Sequence, residues 1–332
     1  ALALLVAARS PLGAAQVARL GAPAGIRALV RRGVCAERSE GFVLMREAER
    51  ADWERRLPRS ERFAAHRLFV GLGQQAMAAA LSGREQAEAL ALCAYHHAAL
   101  GELAQIEPLL SQHEHVAPLA GGRWGDVAAR LLEHEVSAPL ARALAGLLIE
   151  AGSTSLVEPL LAQSSLEGAE KRDLLARARL AAGDASGALA LLEHDGAESL
   201  GERVTRARVL VRLGRYEEAF DLAHGLLDQA AEGSLDHALL LQSAGTAASY
   251  LERTDAAAAL LSRAEQALRG QASARELSRT LSLRGIVAHR LGEFAVAERL
   301  YREALLVAER AGCDALLARG ALNVATACHA SG

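Results

Sequence analysis

Lysine is almost missing from this chain: of 37 basic residues in a length of 332, only Lys171 is a lysine and the rest are arginine. A phosphate loop of the form G-x-x-x-x-G-K-[ST] needs a lysine in that setting, and no such pattern occurs. Aromatic residues make up only 3%, and alternating runs of Val, Ile and Thr are nearly absent, which argues against a large sheet. The four cysteines, Cys35, Cys93, Cys313 and Cys328, are scattered with no C-x-x-C, so neither a zinc knuckle nor a disulfide framework is indicated. A reducing compartment suits them. No stretch approaches the roughly 18 consecutive apolar residues of a membrane span, and the opening ALALLVAA has no basic leader. The expectation is therefore a soluble, cytoplasmic protein that does not engage a membrane.

Catalytic patterns are missing too. There is no G-x-S-x-G elbow; Glu133-His134-Glu135 lacks the H-E-x-x-H spacing; Gly71-Leu-Gly73 and Gly121-Gly-Arg-Trp-Gly125 follow no convincing strand, so neither is a dinucleotide fingerprint. His96, His97, His113 and His115 sit near the ends of two successive helices whose antiparallel pairing would hold the two sets a helix length apart, so they are read as solvated surface histidines without a metal. No enzyme activity, metal or cofactor is expected within these residues.

What is present is alanine and leucine in an apolar fraction of 51%, the makeup of closely packed helix pairs. Residues 280–312, TLSLRGIVAHRLGEFAVAERLYREALLVAERAG, show the pattern best. Gly285 and Ala297 are small enough for two helices to cross closely, Phe294 and Tyr301 fill the space beside the crossing, Ala304 continues the packing face, and Gly292 ends the first helix with a left-handed residue. Gly214, Tyr216 and Ala219 repeat the turn, Gly183 and Ala188 repeat it more weakly, and Gly245 and Ala257 mark a degenerate copy whose turn reads LERTD. Turn positions fall at 101, 152, 183, 214, 252, 292 and 332, with gaps of 51, 31, 31, 38, 40 and 40 residues. The long first gap is expected to contain an extra helical segment around Trp124.

This series resembles the tetratricopeptide repeat. The resemblance implies an all-α fold: a right-handed helical solenoid over residues 76–332, clearest at 173–230 and 280–332, stopping mid-unit at Gly332. Residues 1–75 differ, reading helix, Ser-Pro start, helix, Gly21 break, helix to Arg32, then a hairpin turning at Ser39-Glu40-Gly41 whose strands hold Val34, Phe42 and Val43. LLVAARSPLGAAQVARLG, IRALVRRGV and GFVLMREAERADWERRL resemble the small winged-helix domain that follows the nucleotide-binding core in signal-transduction ATPases with numerous domains. Members of that family often carry a nucleotide-contacting His where Met45 stands here, so nucleotide sensing by this position is not expected. The apolar start without an initiator Met and the half-unit at the end read as an internal fragment, with any ATPase core upstream.

Residues 1–75 hold 13 arginines and 7 acidic residues, and the remainder 24 basic and 33 acidic. Arg27, Arg31, Arg32 and Arg38 raise DNA binding by the winged helix, but packing of that domain against protein is the better reading. Family groove positions in the solenoid fall on Arg208, Arg212, Arg279, Ser282, His289, Arg290, Arg319, Thr326 and His329. Arginines there suit carboxylates, so the resemblance implies a protein or peptide ligand with an acidic segment. The function expected is the non-catalytic sensor arm of a bacterial signalling or transcription-regulating ATPase, relaying ligand occupancy to its intramolecular ATPase core. A plain scaffold without switching is the alternative.

Overall fold

The computed structural model describes every residue except 9–11, 33, 40, 45–49, 194–197, 270–272, 311–316, 318–319 and 326–332. Met45, Arg319, Thr326 and His329 therefore lie outside the described residues, as do Cys313 and Cys328. The chain divides into two compact units, Ala1–His113 and Glu114–Gly332.

The first unit begins with helices α1 (Leu2–Ala7), α2 (Ala14–Arg19) and α3 (Pro23–Arg31), followed by an antiparallel hairpin of β1 (Cys35–Arg38) and β2 (Gly41–Leu44). Arg38 pairs with Gly41 across the turn, and the backbone of Leu12 exchanges hydrogen bonds of 3.1 and 2.9 Å with Phe42, adding a third short segment beside the hairpin. The run LALLVA of α1 buries five of its six residues, forming a core with Leu12, Ile26, Phe42, Leu44 and Phe69. Such a helix end has no water to satisfy its last carbonyls. Arg50 of α4 (Arg50–Arg56) supplies the donors instead, giving Nη1–H to Leu5 O at 2.8 Å, Val6 O at 2.5 Å and Ala8 O at 2.6 Å.

Helices α5 (Arg59–Ala79) and α6 (Gly83–Leu100) then form a long antiparallel hairpin, and α7 (Ile106–Gln112) packs back on α6. Residue 75 falls inside α5. Ser82 and Glu85 form a reciprocal cap at the start of α6, each side chain accepting from the other's backbone N–H, at 3.2 and 3.1 Å. His96 and His97 are buried, which corrects their reading as solvated residues: α6 is apolar nearly all round in this stretch, so its whole circumference is covered. His96 Nδ1 shares a hydrogen bond of 2.8 Å with His66 Nδ1, and His97 Nδ1 meets Glu102 at 3.0 Å. His113 instead faces Gln86, at the opposite end of α6. No group of three metal-ligating side chains occurs among the described residues.

The second unit is built of helices, with an isolated bridge between Val136 and Ser164 among its described residues. Its helices are α8 (Arg123–Leu131), α9 (Ala138–Ala151), α10 (Val157–Ala162), α11 (Gly168–Ala182), α12 (Ala185–Leu192), α13 (Leu200–Arg212), α14 (Tyr216–Leu226), α15 (Leu235–Tyr250), α16 (Thr254–Arg269), α17 (Ala274–Arg290) and α18 (Phe294–Arg310). From α11 onward they pair as hairpins, and each hairpin's first helix packs on the next: α11 on α13, α13 on α15, α15 on α17. This is a tetratricopeptide-like array. The extra segment expected around Trp124 is α8, which packs on α9 and α10.

Six of the turn positions read from the sequence carry positive φ: Gly101, Gly152, Gly183, Gly214, Glu252 and Gly292. Glu252, at φ 61°, is the one non-glycine, and it holds a left-handed turn because Arg253 N–H reaches back to Ala248 O at 2.9 Å. The seventh position, Gly332, is outside the described residues.

At the crossings the small residues are fully covered: Ala188, Ala219, Ala257 and Ala297 are all 0% exposed, and Ala304 is buried. Gly245 sits so close to α16 that a Cβ would lie 2.8 Å from Leu261 Cγ. Gly285 is tighter still, and a Cβ there would lie 2.7 Å from Cδ1 of the buried Tyr301 ring. Gly285→Val is therefore expected to lower stability by about 1–3 kcal/mol, read from the urea midpoint. Gly225→Ala, in an open stretch of α14 where nothing lies within 4 Å, is the matched control and should stabilise by up to about 1 kcal/mol. Phe294 does not fill the α17–α18 crossing as expected: at the first position of α18 it is 37% exposed, and its ring meets that of His289 edge-on with centroids 5.1 Å apart.

Candidate functional site: an arginine-lined groove

Helical spacing brings the site together. Arg208 and Arg212 lie four apart on α13, Arg275 and Arg279 four apart on α17, and Arg177 and Ala181 four apart on α11, so each pair shares a helix face. With Ile149 and Glu150 of α9, Leu180 of α11, Leu235 and Leu239 of α15, and Glu276 of α17, these residues line a cavity of about 220 Å³. Five arginines face two glutamates.

Arg208 and Glu276 form the charged centre. Arg208 Nη2 donates to Glu276 Oε1 at 2.5 Å, with the side chains 12% and 8% exposed. Gln242 of α15 donates its Nε2–H to Glu276 Oε2 at 3.3 Å and to Thr280 Oγ1 at 2.8 Å. Burial alone would raise the Glu276 carboxyl, but Arg208, then Arg279, the Gln242 hydrogen bond and Arg275 together hold it down to about 2. Glu150 behaves oppositely: burial first, and then the nearby Glu276 charge, push its carboxyl up against the pull of Arg275, Arg208 and Arg177.

The wall of the cavity is tied across the array. Arg275 Nη1–H donates to Ile149 O at 2.8 Å and Glu150 O at 3.2 Å, and Ser273 Oγ–H donates to Glu150 Oε1 at 3.3 Å. Beside it a second cavity of about 360 Å³ shares Arg212 and Arg279. Its lining is softer: Val211, Leu283 and Ile286, the stacked pair Tyr216 and Tyr250 with ring centroids 4.3 Å apart, and the polar Thr246, Ser278, Ser282 and Asn323.

Of the groove positions read from the sequence, Arg208, Arg212, Arg279 and Ser282 line these cavities. Arg290 is not among the lining residues: it donates to Ser249 O at 2.6 Å and Ser249 Oγ at 3.0 Å, with its guanidinium over the ring of Tyr250. His289 has a buried Nε2 with no hydrogen-bond partner and packs against Phe294. Tyr216, read as a packing residue, packs half-buried against the cluster of Leu210, Val211, Ala219 and Ala247 and also stacks on Tyr250 at the second cavity. Sequence reading missed Arg177, although it stands 31 residues before Arg208, the same interval that separates the turns at 183 and 214. Arg275, Glu276 and Glu150 had no comparable signal.

No family model matches the sequence, and no curated protein matches it. Among solved structures, the chain is similar to BtubC (BKLC) from P. vanneervenii, at 18% identity over 64% of this chain and 85% of that one, with a TM-score of 0.40. It is also similar to a signal-transduction ATPase with numerous domains that has a tetratricopeptide repeat sensor, from Pyrococcus horikoshii, at 10% identity over 98% of this chain and 52% of that one, with a TM-score of 0.46. The chain thus spans about half the length of the Pyrococcus protein. Neither likeness bears on ligand or activity.

Proposed function

We propose that the second unit is a non-catalytic binding arm whose groove takes an acidic segment of a peptide or protein partner, with no cofactor. The observation that carries this is the charge of the groove: five arginines from the first helices α11, α13 and α17 converge on one cavity and exceed the carboxylates that line it. Arginine gives planar bidentate bonds to carboxylates, and a groove of repeat helices offers several such forks in register. Arg212 is the best reporter, being exposed and without an ion pair among the described residues. With fluorescein-labelled hexaglutamate as probe, Arg212→Glu together with Arg279→Glu is expected to weaken binding at least tenfold by anisotropy. Unchanged affinity would remove the groove reading.

The wider role proposed is the sensor arm of a multidomain, bacterial signalling or transcription-regulating ATPase, with occupancy relayed through a winged-helix-like segment at residues 1–75 and a repeat array at 76–332. The order of three helices and a hairpin, with Leu12 bridged to Phe42, supports that segment. A sensor must bind its ligand differently in two states. Hydrogen exchange over Leu2–Leu44 is expected to change when the groove is saturated; no change favours the plain scaffold. No described helix is long and apolar enough to cross a membrane.

A further inference from the structure

The second cavity differs from the first in size and in charge balance. At about 360 Å³ it falls within the roughly 300–1,000 Å³ of sites that take small molecules, whereas the first, at about 220 Å³, falls below that range. Arg212 and Arg279 are the only charged residues in its described lining, with no carboxylate beside them. An anion is admitted there, and an ammonium finds no partner.

The charge left uncommitted sets the kind of anion. Arg279 already acts on Glu276, helping to hold that carboxyl down to about 2, so its charge is shared with the first cavity. Arg212 is exposed and has no ion pair among the described residues. One cation open to a ligand matches one negative charge, and its planar fork matches a carboxylate.

The hydroxyls of the lining fix which way round such an acid lies. Thr246 Oγ1–H donates to Gln242 O at 2.6 Å, Ser278 Oγ–H to Ala304 O at 2.8 Å, and Ser282 Oγ–H to Ser278 O at 3.0 Å. With their protons committed, these hydroxyls meet a ligand only as acceptors, and a carboxylate is an acceptor too. The head group is thus held at Arg212, and what enters beside Val211, Leu283 and Ile286 is apolar. Tyr250, 53% exposed, leaves ring surface in the same lining for that body to cover.

We propose that the second cavity is a binding site for a small monocarboxylic acid with an apolar, ring-sized body, its carboxylate accepting from Arg212 and its body covered by Tyr250, Leu283 and Ile286. The site stands apart from the acidic-segment reading, but Arg212 and Arg279 line both cavities, so a bound acid withdraws two of the five arginines from the partner. The acid is therefore a competitor of the segment.

3-Phenylpropionate is the probe, followed by ligand-observed saturation-transfer NMR on the full chain at constant ionic strength, with propionate, 3-phenylpropanamide and 2-phenylethylamine for comparison. It is expected to bind with a dissociation constant below about 1 mM, at least tenfold tighter than any of the three, and to displace fluorescein-labelled hexaglutamate. Arg212→Gln should weaken it at least tenfold by removing the charged donor. Tyr250→Ala, at an exposed position, should weaken it about fivefold; Ser282→Leu, which fills the cavity rather than emptying it, tests the same lining if Tyr250→Ala does not fold. Equal binding of the amide or the amine removes the carboxylate, equal binding of propionate removes the apolar body, and binding that Arg212→Gln leaves intact puts the acid elsewhere. Each of these overturns the proposal, as does hexaglutamate that stays bound beside the acid. If hexaglutamate binds and 3-phenylpropionate does not, this inference falls while the groove reading stands; if only the acid binds, the groove reading falls and this one stands; if neither binds, both fall.

Discussion

Arg208→Ala is expected to destabilise the second unit by about 3–5 kcal/mol, because it leaves Glu276 charged, buried and without its main partner. Burying an ion is costly, and the pair is tolerated only while both halves remain. Replacing both, as Arg208→Met with Glu276→Leu, should recover most of the loss, which distinguishes an uncompensated charge from a lost packing contact. The effect depends on pH with a definite sign. Glu276 lies well below its ordinary value of 4.5, at about 2, so its contribution is complete above about pH 4.5 and disappears as pH falls through about 2. At 1.36 kcal/mol per unit, that contribution is about 3 kcal/mol. The difference between wild type and Arg208→Ala should therefore be widest near neutrality and narrow steadily into acid. Glu150 and Asp173 act in the opposite sense: burial raises both, so their ionisation costs stability as pH rises through their folded values. Urea titrations of the two proteins at a series of pH values measure the gap directly.

Trp124→Ala should cost a comparable amount, about 3–5 kcal/mol, by a different route. Trp124 is 0% exposed in the first turn of α8, and Val127, Ala128 and Leu131 of the same helix are equally covered. Its Nε1–H donates to Ala117 O at 2.8 Å, so truncation both opens a cavity and leaves a buried carbonyl unpaired. Trp124→Phe separates the two: it keeps most of the ring and should lose only the hydrogen-bond part, about 1–3 kcal/mol. Circular dichroism against urea at neutral pH gives both numbers.

Local signals carried the reading of the repeat. A left-handed turn needs glycine or an equivalent tight bond, and a close crossing needs a small residue, so both leave marks at fixed spacing. That is why the turns from Gly101 to Gly292, and the crossings at Gly285 and Ala297, were legible. Burial of a polar residue is less local. His96 and His97 look like surface histidines by type, and only the apolar run ALALCAYHHAAL around them hints that no face of α6 is free. The groove divides the same way. Arg177, Arg208 and Arg212 recur with the repeat and were within reach of a sequence argument, while Glu150 meets Arg275 and Ser273 across more than 120 residues of sequence, through the stacking of the hairpins between them. Curvature is a sum of small rotations between hairpins and leaves no residue pattern of its own.

The bond between α9 and α17 joins residues 123 to 126 positions apart, skipping the hairpins between them. An open stack of repeats behaves as a one-dimensional lattice that frays from its ends, each unit answering only to its neighbours. Tied at this point, the segment from α9 to α17 becomes a lattice with a closed boundary. Its hairpins melt as a block rather than one by one, and the number of repeats in the loop is no longer free to vary: inserting or deleting a single hairpin would carry Arg275 away from the carbonyls it holds.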